Sequence, residues 1–198
     1  MRRRWDRRHA EAPGAGGVPR VLAENLHLLP GSGEALDLAC GRGAGALKLA
    51  EAGLRVTAWD LSPVAVERVA GLAGERGLQV TAGVRDVIAE PPPPGRFDVI
   101  LVSYFLARDL CPALSAALRP GGLLFYQTFS REAVTTTGPS NPDYRLADNE
   151  LLQLFPSLKV RVYREEGRLG DTSRGCRDIA MLVAERQPGW PEGQPTRC

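Results

Sequence analysis

The sequence predicts an α/β fold of the doubly wound kind: a seven-stranded, mostly parallel sheet with helices on both faces and a terminal antiparallel strand. Two observations predict it. Short apolar runs alternate with helical segments over residues 35–128, as βαβ units require when crossovers join parallel strands. Two later apolar runs, 158–163 and 179–183, follow each other with no helix between them and read as an antiparallel pair.

The elements follow in order. Val21, Leu22, Leu26 and Leu29 stand at helical spacing, and Pro19 suits a first turn, so residues 18–29 are expected to form a leading helix. A strand at 35–39 runs through a glycine turn into a helix that stops at Gly53. The second strand, 54–59, ends at Asp60. Ser62 and Pro63 then supply an N-cap and a first-turn proline for a helix over 64–73. Strands at 78–84 and 97–103 flank the rigid run Pro91, Pro92, Pro93, Pro94. A helix is expected to end at Arg119-Pro120-Gly121-Gly122 before a fifth strand at 123–128. A long polar connection and a helix near 150–155 precede the closing strands.

At 198 residues, with 43% hydrophobic and 24% charged residues, the chain is long enough for one domain with a full core. The reading is a basic arm at 1–17, a single domain at 18–186 and a tail at 187–198. Net charge is only +2, and the basic excess sits locally in MRRRWDRRHA, so no field that would draw the protein onto nucleic acid or anionic lipid is expected. No apolar run follows those arginines or approaches membrane-spanning length, which points to a cytoplasmic protein. Cys40, Cys111, Cys176 and Cys198 form no CxxC pair, so neither a metal nor a disulfide framework is expected.

The chemistry concentrates in ALDLACGRGAGALKLA. Gly41 and Gly43 remove the side chains that would hold a ligand off the backbone N–H groups of a strand-to-helix turn. With Ala46 they also satisfy a dinucleotide fingerprint, so a nicotinamide enzyme is a competing reading. Three acids weigh against it. Asp37 lies in the first strand, where a carboxylate suits an amino group, or orders the glycine loop through water, and does not suit a pyrophosphate; Asp60 ends the second, where an acid pairs with ribose hydroxyls; Asp86 follows the third. An NAD-dependent oxidoreductase would also need a Tyr-xxx-Lys pair or its equivalent, and Lys48 and Lys159, the only lysines, do not supply one.

ALDLACGRGAG, WDLSP, the RDV step, FDVILVS and LRPGGLLFYQTF resemble the successive motifs of class I S-adenosylmethionine-dependent methyltransferases, over roughly residues 35–129. The stretch GPSNPDYRLADNELLQLF is similar to the tellurite-resistance and small-molecule group of that family. The resemblance implies a Rossmann-like methyltransferase fold with S-adenosylmethionine as cofactor. It places Asp37, Ala39, Gly41 and Gly43 around the methionine part, Asp60 at the ribose and Leu61 on the adenine. Asp86 and Val87 would serve the adenine edge, and Ser103 would lie beside the sulfonium. Base-directed family members carry a [DNS]PP[YF] motif where this chain has Val102-Ser103-Tyr104-Phe105, so DNA is not an expected substrate.

The expected acceptor is a small molecule, anionic or a thiol or chalcogen nucleophile, because such a group needs orientation and not a base. Tyr104 and Arg108, past the fourth strand, and His9, in the arm, are the candidate catalytic residues. Tyr104 also suits packing, Arg108 a solvated helix position and His9 a free tail. Thr135, Thr136, Thr137 and Asn141 suit either a lid or an ordinary polar loop. A cofactor-binding regulator or scaffold without turnover is the alternative function.

Overall fold

The computed structural model describes residues 15–189; most of the basic arm, with His9, and the end of the tail lie outside the described residues. Seven strands form one sheet in the order β3-β2-β1-β4-β5-β7-β6. They are β1 (Glu34–Leu38), β2 (Arg55–Asp60), β3 (Val80–Val84), β4 (Phe97–Ser103), β5 (Leu118–Phe129), β6 (Lys159–Glu165) and β7 (Ile179–Glu185). The first five are parallel to one another. β7 lies between β5 and β6, antiparallel to both, so the late pair is the expected hairpin and β6 forms the edge. The chain steps outward from β1 to β3 and returns at β4. The order therefore reverses between β1 and β4, the switch point at whose strand carboxyl ends sheets of this kind form their ligand crevice.

Alternation along the inner strands builds a core on each face of the sheet. On one face Leu36, Leu38, Ile100, Val102, Leu124 and Tyr126 pack with α4 (Cys111–Ala117) and α5 (Glu150–Leu154). On the other, Ala35, Val99, Leu101 and Phe125 meet α1 (Arg20–Ala23), α2 (Ala44–Glu51) and α3 (Pro63–Glu75). The Ser62 side chain caps α3 by accepting from Ala65 N, with Pro63 in its first turn as the sequence indicates.

Two elements differ from expectation. The leading helix runs only over Arg20–Ala23 and continues as a separate 3-10 turn, Leu26–Leu28. The buried side chain of Asn25 donates from Nδ2 to the Val21 carbonyl at 2.9 Å, taking the acceptor that another α-turn would use, and Asn25 N turns instead to Leu22 O. The second difference is at Arg119-Pro120-Gly121-Gly122, which opens β5 and does not cap a helix. α4 stops at Ala117 because its last carbonyls are taken: Gly95 N and Arg96 N donate to Ala116 O and Ala117 O. Gly121 and Gly122 then exchange backbone hydrogen bonds with Arg186, beyond the end of β7.

Tyr126 ties the sheet to the segment after β4, since its buried Oη donates to the Phe105 carbonyl at 2.7 Å while its ring packs on Phe155. Tyr126→Phe keeps the ring and strands that carbonyl, so stability in urea should fall by about 1–2 kcal/mol without a change in the slope of the unfolding line.

Candidate functional site

The crevice is organised by two carboxylates. Asp60, at the end of β2, is buried; its Oδ2 accepts from Gly41 N and its Oδ1 from Ser62 N, each at 2.9 Å. One side chain thus fixes both the turn entering α2 and the turn entering α3. Asp37, on β1, is 2% exposed. Burial pushes its carboxyl up to about 7, the Ala46 N–H opposes this, and the nearby Asp60 charge adds to it. No cationic side chain is among the groups acting on it.

The loop between these acids is held open by unusual backbone. Gly41 and Gly43 have φ of +53° and +89°, and a Cβ on Gly43 would lie 2.5 Å from Val69 Cγ2. Ala39 adopts φ +56°, a conformation that costs an L-residue about 1–2 kcal/mol. Cys40 is packed beneath the loop. Burial first, then the Asp37 and Asp60 charges, lifts its thiol well above the ordinary range, which suits packing and not nucleophilic attack.

The other expected cofactor positions lie at the same end of the sheet. Leu61 is half-buried beside Asp60, and Ser103 is half-buried at the end of β4. Val87 is buried in the core, whereas Asp86 is exposed and its Oδ1 accepts from Ile88 N and Ala89 N, closing a local turn.

Tyr104 follows Ser103 with φ +56° and is 49% exposed, its ring tilted against Phe129 with centroids 4.9 Å apart. Burial, with the Cys176 thiol, lifts its phenol above the ordinary value; the Gln127 side chain and Arg20 pull the other way.

Arg108 is not the free rim cation that its sequence position suggests. Its guanidinium forks onto both oxygens of Glu150 at 2.6 and 3.1 Å and donates to the Asp143 and Arg145 carbonyls, so it braces the connection after β5. That connection is built and not loose. Buried Arg145 donates to the carbonyls of Ser130, Thr137 and Pro139, and Asp178 accepts from Val134 N, Thr135 N and Thr135 Oγ1. Asn141 caps the turn at Asp143. His27, the only histidine among the described residues, sits at the opposite end of the sheet beside Pro30 and Gly121. Among the described residues no group of His, Cys, Asp or Glu converges to hold a metal, and no helix is long and apolar enough to cross a membrane.

Residues 35–122 match the family of the methyltransferase domain. The chain is 39% identical over 106 residues to a ubiquinone biosynthesis O-methyltransferase of Xylella fastidiosa, covering 48% of this chain and 42% of that protein. The matched segment, residues 35–122, is similar to a methyltransferase domain, and the likeness supports a class I methyltransferase. Matches to such curated relatives span less than half of their length. A solved structure concerned with conversion of a disulfide bond into a thioacetal group during echinomycin biosynthesis aligns over 94% of this chain and 93% of its own, with 26% identity and a TM-score of 0.66. TehB from Haemophilus influenzae shares the fold at a TM-score of 0.68 and 17% identity, over 84% of this chain and 61% of its own.

Within the matched segment, the burial of Asp37 makes stability depend on pH in a definite direction. Its folded-state pKa of about 7 lies above the usual carboxylate value, so the folded protein holds a proton that the unfolded chain has released. Stability from this group is full below the unfolded pKa, falls as pH rises toward about 7, and is flat beyond. Asp37→Asn should abolish that fall and raise stability above neutral pH by up to about 4 kcal/mol, read as a higher midpoint in thermal melts across pH.

Proposed function

We propose that this chain is a methyltransferase that uses S-adenosylmethionine and acts on a small acceptor. The observation that carries the reading is the buried, cation-free carboxylate of Asp37 beside a glycine turn whose geometry Asp60 fixes. A buried carboxylate without a positive partner suits a ligand that brings one, and the donor set fits the ammonium and sulfonium charges of this cofactor. A pyrophosphate at the same turn would face that carboxylate instead, which disfavours a dinucleotide.

In this reading Asp37 and the Ala39 to Gly43 turn hold the methionine part. Asp60 holds the ribose, Leu61, Asp86 and Val87 the adenine, and Ser103 flanks the sulfur. The bound cofactor supplies an electrophilic methyl group on a positively charged sulfur that departs as a neutral thioether. The protein's task is alignment and exclusion of water, which together account for a barrier reduction of about 7–11 kcal/mol. Tyr104 has a raised pKa and stays protonated at neutral pH, so it donates a hydrogen bond and does not act as base. With no histidine at this end of the described structure, an acceptor that is already ionised suits the site: a thiolate or a chalcogen oxyanion.

Titration calorimetry should show S-adenosylhomocysteine binding in preference to NAD, with affinity rising as pH approaches about 7 and proton release on binding. Asp60→Ala should weaken binding by about 1–3 kcal/mol. Tighter binding of NAD would overturn the reading. For the acceptor, two thiols of different acidity should give transfer rates that follow each thiol's own ionised fraction; coincident pH profiles would assign the ionisation to the protein.

A further inference from the structure

Gln127 stands alone as an amide in the apolar strand LLFYQTF, and it is 0% exposed. Its register neighbours are Ser103 on β4 and Met181 on β7, and its own carbonyl accepts from Tyr104 N. Oε1 accepts from Val21 N at 2.7 Å, at the start of the leading segment. That bond fixes the orientation of the amide, because exchanging its nitrogen and oxygen would set two donors against each other. Nε2 therefore points away from Val21; the side chain acts as a donor toward the Tyr104 phenol, and Nε2 makes no full hydrogen bond. A buried donor left unmade costs about 1–3 kcal/mol, which a fold retains where a ligand will use it.

The surroundings show what that ligand must be. The Gln127 side chain acts on the Tyr104 phenol, and the two residues are joined through Tyr104 N and the Gln127 carbonyl; Arg20 and Cys176 also influence the phenol. Nε2 can only donate. Tyr104 keeps its proton at neutral pH and can donate; Arg20 is already engaged by Glu24 and the Gly175 carbonyl, so the donors left for a ligand are the amide and the phenol. Position separates this region from the cofactor turn. Gln127 lies on β5, two strands from Asp37 on β1, a lateral offset of about 10 Å at the usual strand spacing. The order across the sheet is thus ribose acid on β2, buried acid on β1, Ser103 on β4 and the amide on β5.

We propose that Gln127 Nε2 and Tyr104 Oη form a donor cradle for an oxyanion of the methyl acceptor, either the oxygen that is methylated or a carboxylate that orients a neighbouring nucleophile. The inference rests on the methyltransferase reading above and supplies that reading with an acceptor subsite. Neither residue removes a proton; both position the acceptor through charge-assisted hydrogen bonds.

The test uses the full chain saturated with S-adenosylhomocysteine and 4-nitrophenolate as the probe, whose absorption reports hydrogen bonding at its oxygen. 4-Nitroanisole, which lacks the anion, is the control. The phenolate should bind with a blue-shifted absorption and the anisole should bind without preference for the same place. Tyr104→Phe keeps the ring on Phe129 and removes only the hydroxyl. Gln127→Glu keeps an oxygen for Val21 N and replaces the donor with an acceptor. Each should weaken phenolate binding roughly tenfold and reduce the spectral shift, with S-adenosylhomocysteine affinity unchanged. Should Gln127→Glu fail to fold, Tyr104→Phe alone decides. Phenolate binding that is absent, or indifferent to these variants, overturns the proposal. Loss of S-adenosylhomocysteine affinity in both variants overturns it too, by giving the cradle to the cofactor's own carboxylate. If S-adenosylhomocysteine does not bind the unaltered protein, the failure belongs to the methyltransferase reading.

Discussion

The Asp60 carboxylate, shared between Gly41 N and Ser62 N, is the constraint on which the crevice depends. A parallel sheet brings the starts of α2 and α3 side by side, each with backbone donors that need acceptors. Asp60 satisfies one from each turn from a buried position, so the two turns are set relative to each other by one rigid group. Gly43 then accommodates Val69 of α3, where any side chain would collide. The alanine at 39 accepts a left-handed backbone for the same reason: the turn geometry is imposed from β2, and the residue conforms.

The fingerprint of glycines alone leaves two cofactor classes open, and the buried Asp37 carboxyl is the residue on which the proposed S-adenosylmethionine reading rests. A carboxylate in a dinucleotide turn would lie under two phosphate charges. Here burial leaves the group only partly ionised near neutral pH, and in the proposed reading a ligand cation would favour its charged form. The site accordingly carries a latent instability in the ligand-free protein, of the kind expected where function and folding compete for one residue.

Most of the architecture was legible because it rests on local signals. The turn at Gly41, the cap at Ser62 and the run 97–103 each announce themselves through spacing and residue type, and β4 runs over Phe97–Ser103 as read. What the sequence hid depends on distant partners. Residues 18–29 have helical periodicity, yet the Asn25 side chain takes the carbonyl that would continue the helix. Arg119 to Gly122 resemble a helix stop, yet pairing with Arg186 makes them the start of a strand. Arg108 looked available until Glu150, 42 residues later, occupied it. Arg145 and Asp178, which secure the long connection, carried no motif. Gln127 did carry a signal, a single amide within an apolar strand, and that mismatch with burial was the available clue.

β7 is made after β6 but lies inside it, against β5. During synthesis, therefore, the growing sheet presents the unpaired edge of β5 to solvent until residues 179–185 have left the ribosome. β5 is among the most apolar strands of the molecule, with Leu124, Phe125 and Tyr126 in succession. An exposed edge of that composition is a template for association with other chains. The insertion of β7 closes it with a ladder from Leu123 to Phe129 and displaces the exposed edge to β6. There Lys159, Arg161, Arg164 and Glu165 line the border with charged side chains, Arg161 paired with Glu185 and Arg164 with Glu24 and Glu166, a composition that discourages strand addition. The fold thus exchanges a sticky intermediate margin for a charged final one, and the exchange hinges on seven residues that arrive after every other strand is complete.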